Sequence, residues 1–133
     1  MAGFRVRVPQ LLNAMNGDDI GTRFVRALSD RSWSVLRDLF HPSVQLRALL
    51  PPGLREASGA METSGHFQSW FGNADAIQPM DCTAEPLLDK VHIAYRLRVH
   101  KDRWYRIEQQ AFCVVTEDRI QKMDLLCSGF RPE

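Results

Sequence analysis

The sequence predicts an α+β protein, with helices gathered in its first half and an antiparallel sheet in its second, on three observations. Two early stretches, "DDIGTRFVRALSD" and "SWSVLRDLFHP", repeat apolar residues at helical spacing. In the later stretch "KVHIAYRLRVH", Val91, Ile93, Tyr95, Leu97 and Val99 alternate with His92, Arg96, Arg98 and His100, the pattern of a strand with one buried face. Short polar turns at Asp89, Lys101-Asp102 and Glu117-Asp118 join consecutive strand-like segments directly, which makes a meander rather than βαβ units.

Taken in order, the first helix is capped by Asp18 or Asp19 and repeats Ile20, Phe24, Ala27 and Leu28 on one face. The second has Ser32 available as its cap, gathers Trp33, Leu36, Leu39 and Phe40, and cannot continue past Pro42. "SVQLRALL" reads as a strand ended by Pro51, Pro52 and Gly53, and Leu54 to Gly59 reads as a loop. A third helix from Ala60 to Phe71 brings Phe67, Trp70 and Phe71 together, and Gly72 is its stop. Four strands follow, near Asp81 to Leu88, Lys90 to His100, Trp104 to Thr116 and Arg119 to Ser128.

Composition bounds the function. A chain of 133 residues, 44% hydrophobic and 25% charged, is read as one globular domain over 1–133 with an N-terminal arm over 1–17. Its formal charge of +1 gives no field that favours nucleic acid or an anionic membrane. The basic cluster Arg96, Arg98, His100, Lys101, Arg103 and Arg106 is spread by alternation over both faces and a turn, so a solvated edge or a dimer interface explains it better than RNA. No continuous apolar stretch is long enough for a signal segment or a membrane span, and a cytoplasmic location is expected. Cys82, Cys113 and Cys127 are odd in number and widely spaced, which points to reduced thiols rather than a disulfide framework. His41, His66, His92 and His100 lack HxH or HExxH spacing, so neither a metal nor another cofactor is expected.

The order of two helices, a strand, a third helix and a long antiparallel sheet resembles the nuclear-transport-factor-two-like superfamily over nearly the whole chain. The ending "EDRIQKMDLLCSGFRP" is similar to the last hairpin of its SnoaL-like proteins, and "RALLPPGLREASG" and "HFQSWFG" resemble an uncharacterised bacterial branch. The resemblance implies a cone-shaped barrel, in which three N-terminal helices pack on a strongly curved, mainly antiparallel sheet and roof a cavity on its concave face. The superfamily includes ketosteroid isomerases, polyketide cyclases and limonene epoxide hydrolases, so the fold does not select an activity.

Register arithmetic then nominates cavity residues. If Lys101-Asp102 and Glu117-Asp118 are both two-residue turns, Tyr95 faces Glu108, Gln110 faces Leu125, Phe112 faces Met123 and Glu108 faces Cys127. The cavity face then carries Tyr95, Glu108, Gln110, Phe112, Met123, Leu125 and Cys127, while Gln109 points outward; a three-residue loop in either turn would flip its strand. Glu108 becomes a candidate general acid or base whose pKa an apolar wall would raise. The alternative is an ion pair with Arg106, Arg47 or another arginine. Gln110 would orient a ligand, Trp70 would form the wall, and His66 could reach the cavity mouth.

Catalytic patterns in the superfamily match poorly. The first strand offers Arg47 where ketosteroid isomerase-like sites have an acid, and Asp124 has the wrong parity for the inward acid of epoxide hydrolase-like sites. Cys127 has no histidine partner in this register. The resulting expectation is a small-molecule-binding SnoaL-like protein with an apolar cavity carrying Glu108. The alternative is a cofactor-independent isomerase or cyclase that moves a proton through Glu108 on an apolar cyclic substrate. A homodimer through the outer sheet face is expected from Tyr105, Ile107, Ala111 and Cys113, which this register turns away from the cavity.

Overall fold

The structure, a computed structural model, describes residues 6–7 and 19–133. The N-terminal arm expected over 1–17 therefore lies, apart from Val6 and Arg7, outside the described residues. The described elements are β1 (Val6–Arg7), α1 (Ile20–Ser29), α2 (Trp33–Asp38), β2 (Phe40–Leu50), β3 (Gly53–Ser58), α3 (Ala60–Phe71), β4 (Ala76–Leu87), β5 (Lys90–His100), β6 (Trp104–Thr116), β7 (Arg119–Cys127) and β8 (Arg131–Pro132). Among the described residues the architecture is α+β, with three helices and a mostly antiparallel sheet.

Strands lie in the order β1-β4-β5-β6-β7-β2-β3, and β8 pairs with β6. Every pair is antiparallel but one: β2 runs parallel to β7, pairing Leu46 with Met123 and Ala48 with Leu125. That contact joins the first-half hairpin β2–β3 to the second-half meander, so the sheet is made from both halves of the chain.

Local chemistry explains the elements. Asp19 caps α1 by accepting a hydrogen bond from the Thr22 backbone N–H at 3.0 Å. The apolar stripe of α1 buries Phe24, Val25 and Leu28 completely. Gly21 is required where α1 meets the sheet, because a Cβ there would lie 2.7 Å from that of Ala84 on β4. Helix α2 stops at Asp38, two residues earlier than the periodicity predicts, and Phe40 begins β2. Pro42 sits within β2 where the pairing with β7 shifts between Phe40 and Gln45, so its missing N–H costs no ladder bond there. The predicted loop at Leu54 to Gly59 is instead the edge strand β3.

The core forms where the helices meet the face of the sheet that carries Tyr95. The Phe24 ring contacts Phe67 at 5.4 Å, Tyr95 at 5.9 Å and Phe40 at 6.2 Å between centroids, drawing α1, α3, β5 and β2 together. Truncating such a fully buried ring to alanine costs about 3–5 kcal/mol. Ile107, Ala111 and Cys113 belong to this core, which removes the apolar outer patch on which the homodimer expectation was based. Among the described residues, no helix is long and apolar enough to cross a membrane.

Candidate functional site

The site depends on which way β6 faces. His100 pairs with Trp104 rather than Arg103, so Lys101, Asp102 and Arg103 form a three-residue connection, closed by the Lys101 N–H donating to the Arg103 carbonyl at 3.0 Å. The extra residue turns β6 over relative to the two-residue expectation. Tyr95 therefore faces Gln109, and Arg96 faces Glu108.

The polar segment of β6 is thereby reassigned. Glu108 is exposed on the outer face, where its backbone pairs with Ser128. Gln110 and Phe112 also face outward, with His92: the rings of His92 and Phe112 stack at 4.6 Å, and a His92 ring nitrogen lies 3.1 Å from Gln110 Oε1. Arg47 is exposed on the same side and pairs with Asp124 at 3.0 Å. Glu108, Gln110, Phe112 and Arg47 thus do not meet Tyr95 across a common cavity.

Gln109 takes the inward place. It is 1% exposed, and its carbonyl oxygen accepts a hydrogen bond from the Tyr95 hydroxyl, itself buried. Its amide nitrogen donates to Cys127 Sγ at 3.2 Å, and the Gly129 N–H donates to the same sulfur at 3.3 Å. The pairings Cys82–Tyr95, Tyr95–Gln109 and Gln109–Cys127 place these side chains in one row across β4, β5, β6 and β7. A buried amide and phenol are stable here because each satisfies the other.

Burial keeps the Tyr95 phenol and the Cys82 thiol of this row protonated. Burial, reinforced by the neighbouring sulfurs of Cys127, Cys113 and Cys82, raises the Tyr95 phenol well above its ordinary value. Burial likewise pushes the Cys82 and Cys113 thiols up to about 12, with lesser contributions from Asp19 and Asp81 at Cys82 and from Asp124 at Cys113. Those two thiols remain protonated and inert near neutral pH.

A cavity of about 620 Å³ opens above one end of the row. Ile107 and Gln109, its most buried lining residues, form the bottom; Trp70 from α3 and Phe130 add aromatic wall, and Leu50, Pro51 and Pro52 come from the β2–β3 connection. Gly129 has φ +79°, and a Cβ there would lie 2.7 Å from Pro51 Cγ, so only glycine lets these segments approach. Cys127 lines the cavity, whereas Leu125 is buried in the core. His66 lies one turn before Trp70 and contacts its ring at 5.6 Å. Arg55 of β3 lines the cavity too, and the loop expectation for its segment concealed it; its register opposite buried Ala48 puts it on the inner face.

A second depression of about 520 Å³ shares Leu50, Pro51, Cys127 and Ser128 with this cavity and continues onto the outer face, where Leu49, Glu108, Gln110 and Leu126 line it. The described residues contain no cluster of His, Cys, Asp or Glu able to hold a metal ion.

No family model matches the sequence, and no curated protein matches it. Solved structures do match the fold. A hypothetical protein with a ketosteroid isomerase-like fold from Catenulispora acidiphila, in complex with trimethylamine, has TM-score 0.69 at 15% identity, covering 84% of this chain and 86% of that one. An NTF-2 like protein of unknown function from Burkholderia xenovorans has TM-score 0.63 at 9% identity, covering 96% and 88%. An LEH-like epoxide hydrolase from M. tuberculosis has TM-score 0.62 at 10% identity, covering 91% and 84%. The chain therefore has the NTF2-like, ketosteroid isomerase-like fold.

Proposed function

We propose that this protein binds a small, largely apolar molecule in the cavity bounded by Trp70, Ile107, Gln109 and Phe130. The observation that carries the reading is the cavity itself: about 620 Å³ of space with an aromatic and aliphatic wall and a single buried amide at its bottom. Ligand sites typically combine such a wall with a few fixed polar groups. Gln109 can orient a ligand because the Tyr95 hydroxyl and Cys127 sulfur hold its amide in place. A pre-fixed donor loses little rotamer freedom on binding. In this reading the helices and sheet form the cone that the fold resemblance implies, within one cytoplasmic domain.

Binding is favoured over acid–base catalysis by the lining. It contains Arg55 but, among the described residues, no carboxylate, while Glu108 belongs to the outer depression. Proton transfer through Glu108 has no geometry in this cavity. Native mass spectrometry of the purified protein tests the reading: a retained small molecule, lost from Gln109→Leu, supports it. A protein that retains nothing and binds no apolar probe in titration overturns it.

The outer face supports a homodimer on grounds other than those the sequence offered. Leu49 and Leu126 are paired neighbours on β2 and β7, and they are 51% and 49% exposed beside the outer depression. Light scattering is expected to give a dimer that Leu126→Arg dissociates; a monomer at all accessible concentrations contradicts it.

A further inference from the structure

Resting on the cavity reading above, we infer that the ligand is an amphipathic acid, whose apolar body fills the cavity and whose carboxylate is held at the mouth by Arg55. Arg55 supplies the charged side chain of the lining, and it is exposed whereas Ile107 and Gln109 at the bottom are buried. This places the cation where the cavity meets solvent. Among the described residues its guanidinium donates from Nη1 to the neighbouring Leu54 carbonyl at 3.2 Å and pairs with no carboxylate. Position distinguishes Arg55: Arg37, Arg119 and Arg131 are also exposed without a carboxylate partner among the described residues, but Arg55 lines the cavity.

A second cation stands behind the same wall. Lys101 Nζ lies 3.7 Å from the centroid of the Phe130 ring, and that ring lines the cavity. Arg55 thus sets a positive charge at the mouth of an apolar interior, with Lys101 outside the lining, an arrangement that selects an anionic head on an apolar tail. A planar guanidinium suits a carboxylate in particular, because it can donate two parallel hydrogen bonds to it. The competing explanation is that Arg55 is an inward-pointing charge on the edge strand β3, which discourages edge-to-edge aggregation. That role would make no distinction between an acid and an alcohol of equal length.

Calorimetric titration of the purified protein at neutral pH, with sodium decanoate below its micellar limit and decan-1-ol below its solubility limit, separates these cases. The wild type is expected to bind decanoate about ten-fold or more tightly than decanol, the range for one charge-assisted contact. Arg55→Gln should lose that preference while binding decanol within about two-fold of wild type, and Arg55→Lys should keep part of it. Equal affinity for both probes, or a preference that survives in Arg55→Gln, overturns the inference and leaves the cavity reading intact. If neither probe binds, both fall.

Discussion

Replacing Gln109 with leucine tests the inner row directly, because leucine keeps most of the side-chain volume and removes both polar ends. Two groups lose their partners: the hydroxyl of Tyr95, which is 1% exposed, and the sulfur of Cys127, which retains the Gly129 N–H. An unsatisfied buried hydroxyl costs about 1–3 kcal/mol, and the weak contact to sulfur adds little. Gln109→Leu should therefore destabilise by about 1–3 kcal/mol. Tyr95→Phe strands the Gln109 carbonyl and should cost a similar amount, but the double variant removes donor and acceptor together. Its cost should fall short of the sum of the singles by about 1–2 kcal/mol. Glu108→Gln, one residue away but exposed, should stay within about 0.5 kcal/mol of wild type. Urea unfolding of the four variants and wild type, with slopes compared to confirm two-state behaviour, gives all the terms. Strict additivity of Tyr95→Phe and Gln109→Leu, or a Glu108 variant costlier than the Gln109 variant, would refute the assigned register.

Burial holds the Cys82 and Cys113 thiols at about 12, so a thiol-titrating disulfide reagent at pH about 8 should modify Cys127 rapidly and the other two only after denaturation. Rapid reaction of all three would contradict the packing of β4 and β6. Glu133 predicts an acid dependence: hydrogen bonds from Arg98 and Arg106 hold its carboxyl at about 2, below its ordinary 4.5. The native state binds this proton less tightly than the unfolded chain, so the contribution is complete above pH 4.5 and is lost as pH falls toward about 2. Urea midpoints should fall less steeply below pH 4.5 in Glu133→Gln than in wild type; identical slopes would remove the arginine clamp from the account.

Much of the fold was legible because its signals are local and repeated. The alternation from Val91 to Val99 assigns β5 to the correct face, and the buried set Ile93, Tyr95, Leu97 and Val99 matches it. Strand β3 was not legible: Ala57 alone is buried in "GLREAS", so an edge strand there has no apolar rhythm to distinguish it from a loop. Orientation of β6 failed for a geometric reason. Glu108, Gln109 and Gln110 are consecutive and polar, so either parity turns polar side chains inward, and the sequence "HKDRW" does not reveal whether two or three residues form the turn.

The second hairpin shows how errors cancel. Thr116 does pair with Arg119 across the two-residue turn, with Glu117 at φ 55° and Asp118 at φ 63°, as a type I′ geometry requires. The register then shifts between Val114 and Val115, where Gln121 is the extra residue on β7. This irregularity offsets the unforeseen residue in the preceding turn, which is why Met123 and Leu125 face the core as expected while Glu108 and Gln110 do not. Arg55 was hidden with its strand, and Gln109 was visible in the sequence but turned the wrong way.

Side-chain resonances offer the most direct test of where a ligand binds. In a ¹⁵N-edited spectrum titrated with an apolar probe such as decan-1-ol, the Trp70 indole N–H and the Gln109 amide should shift together, while the Gln110 amide and the Glu108 backbone stay in place. Shifts confined to Gln110, Glu108 and Leu126 would put the ligand on the outer face and contradict the assignment of the inner cavity as the binding site.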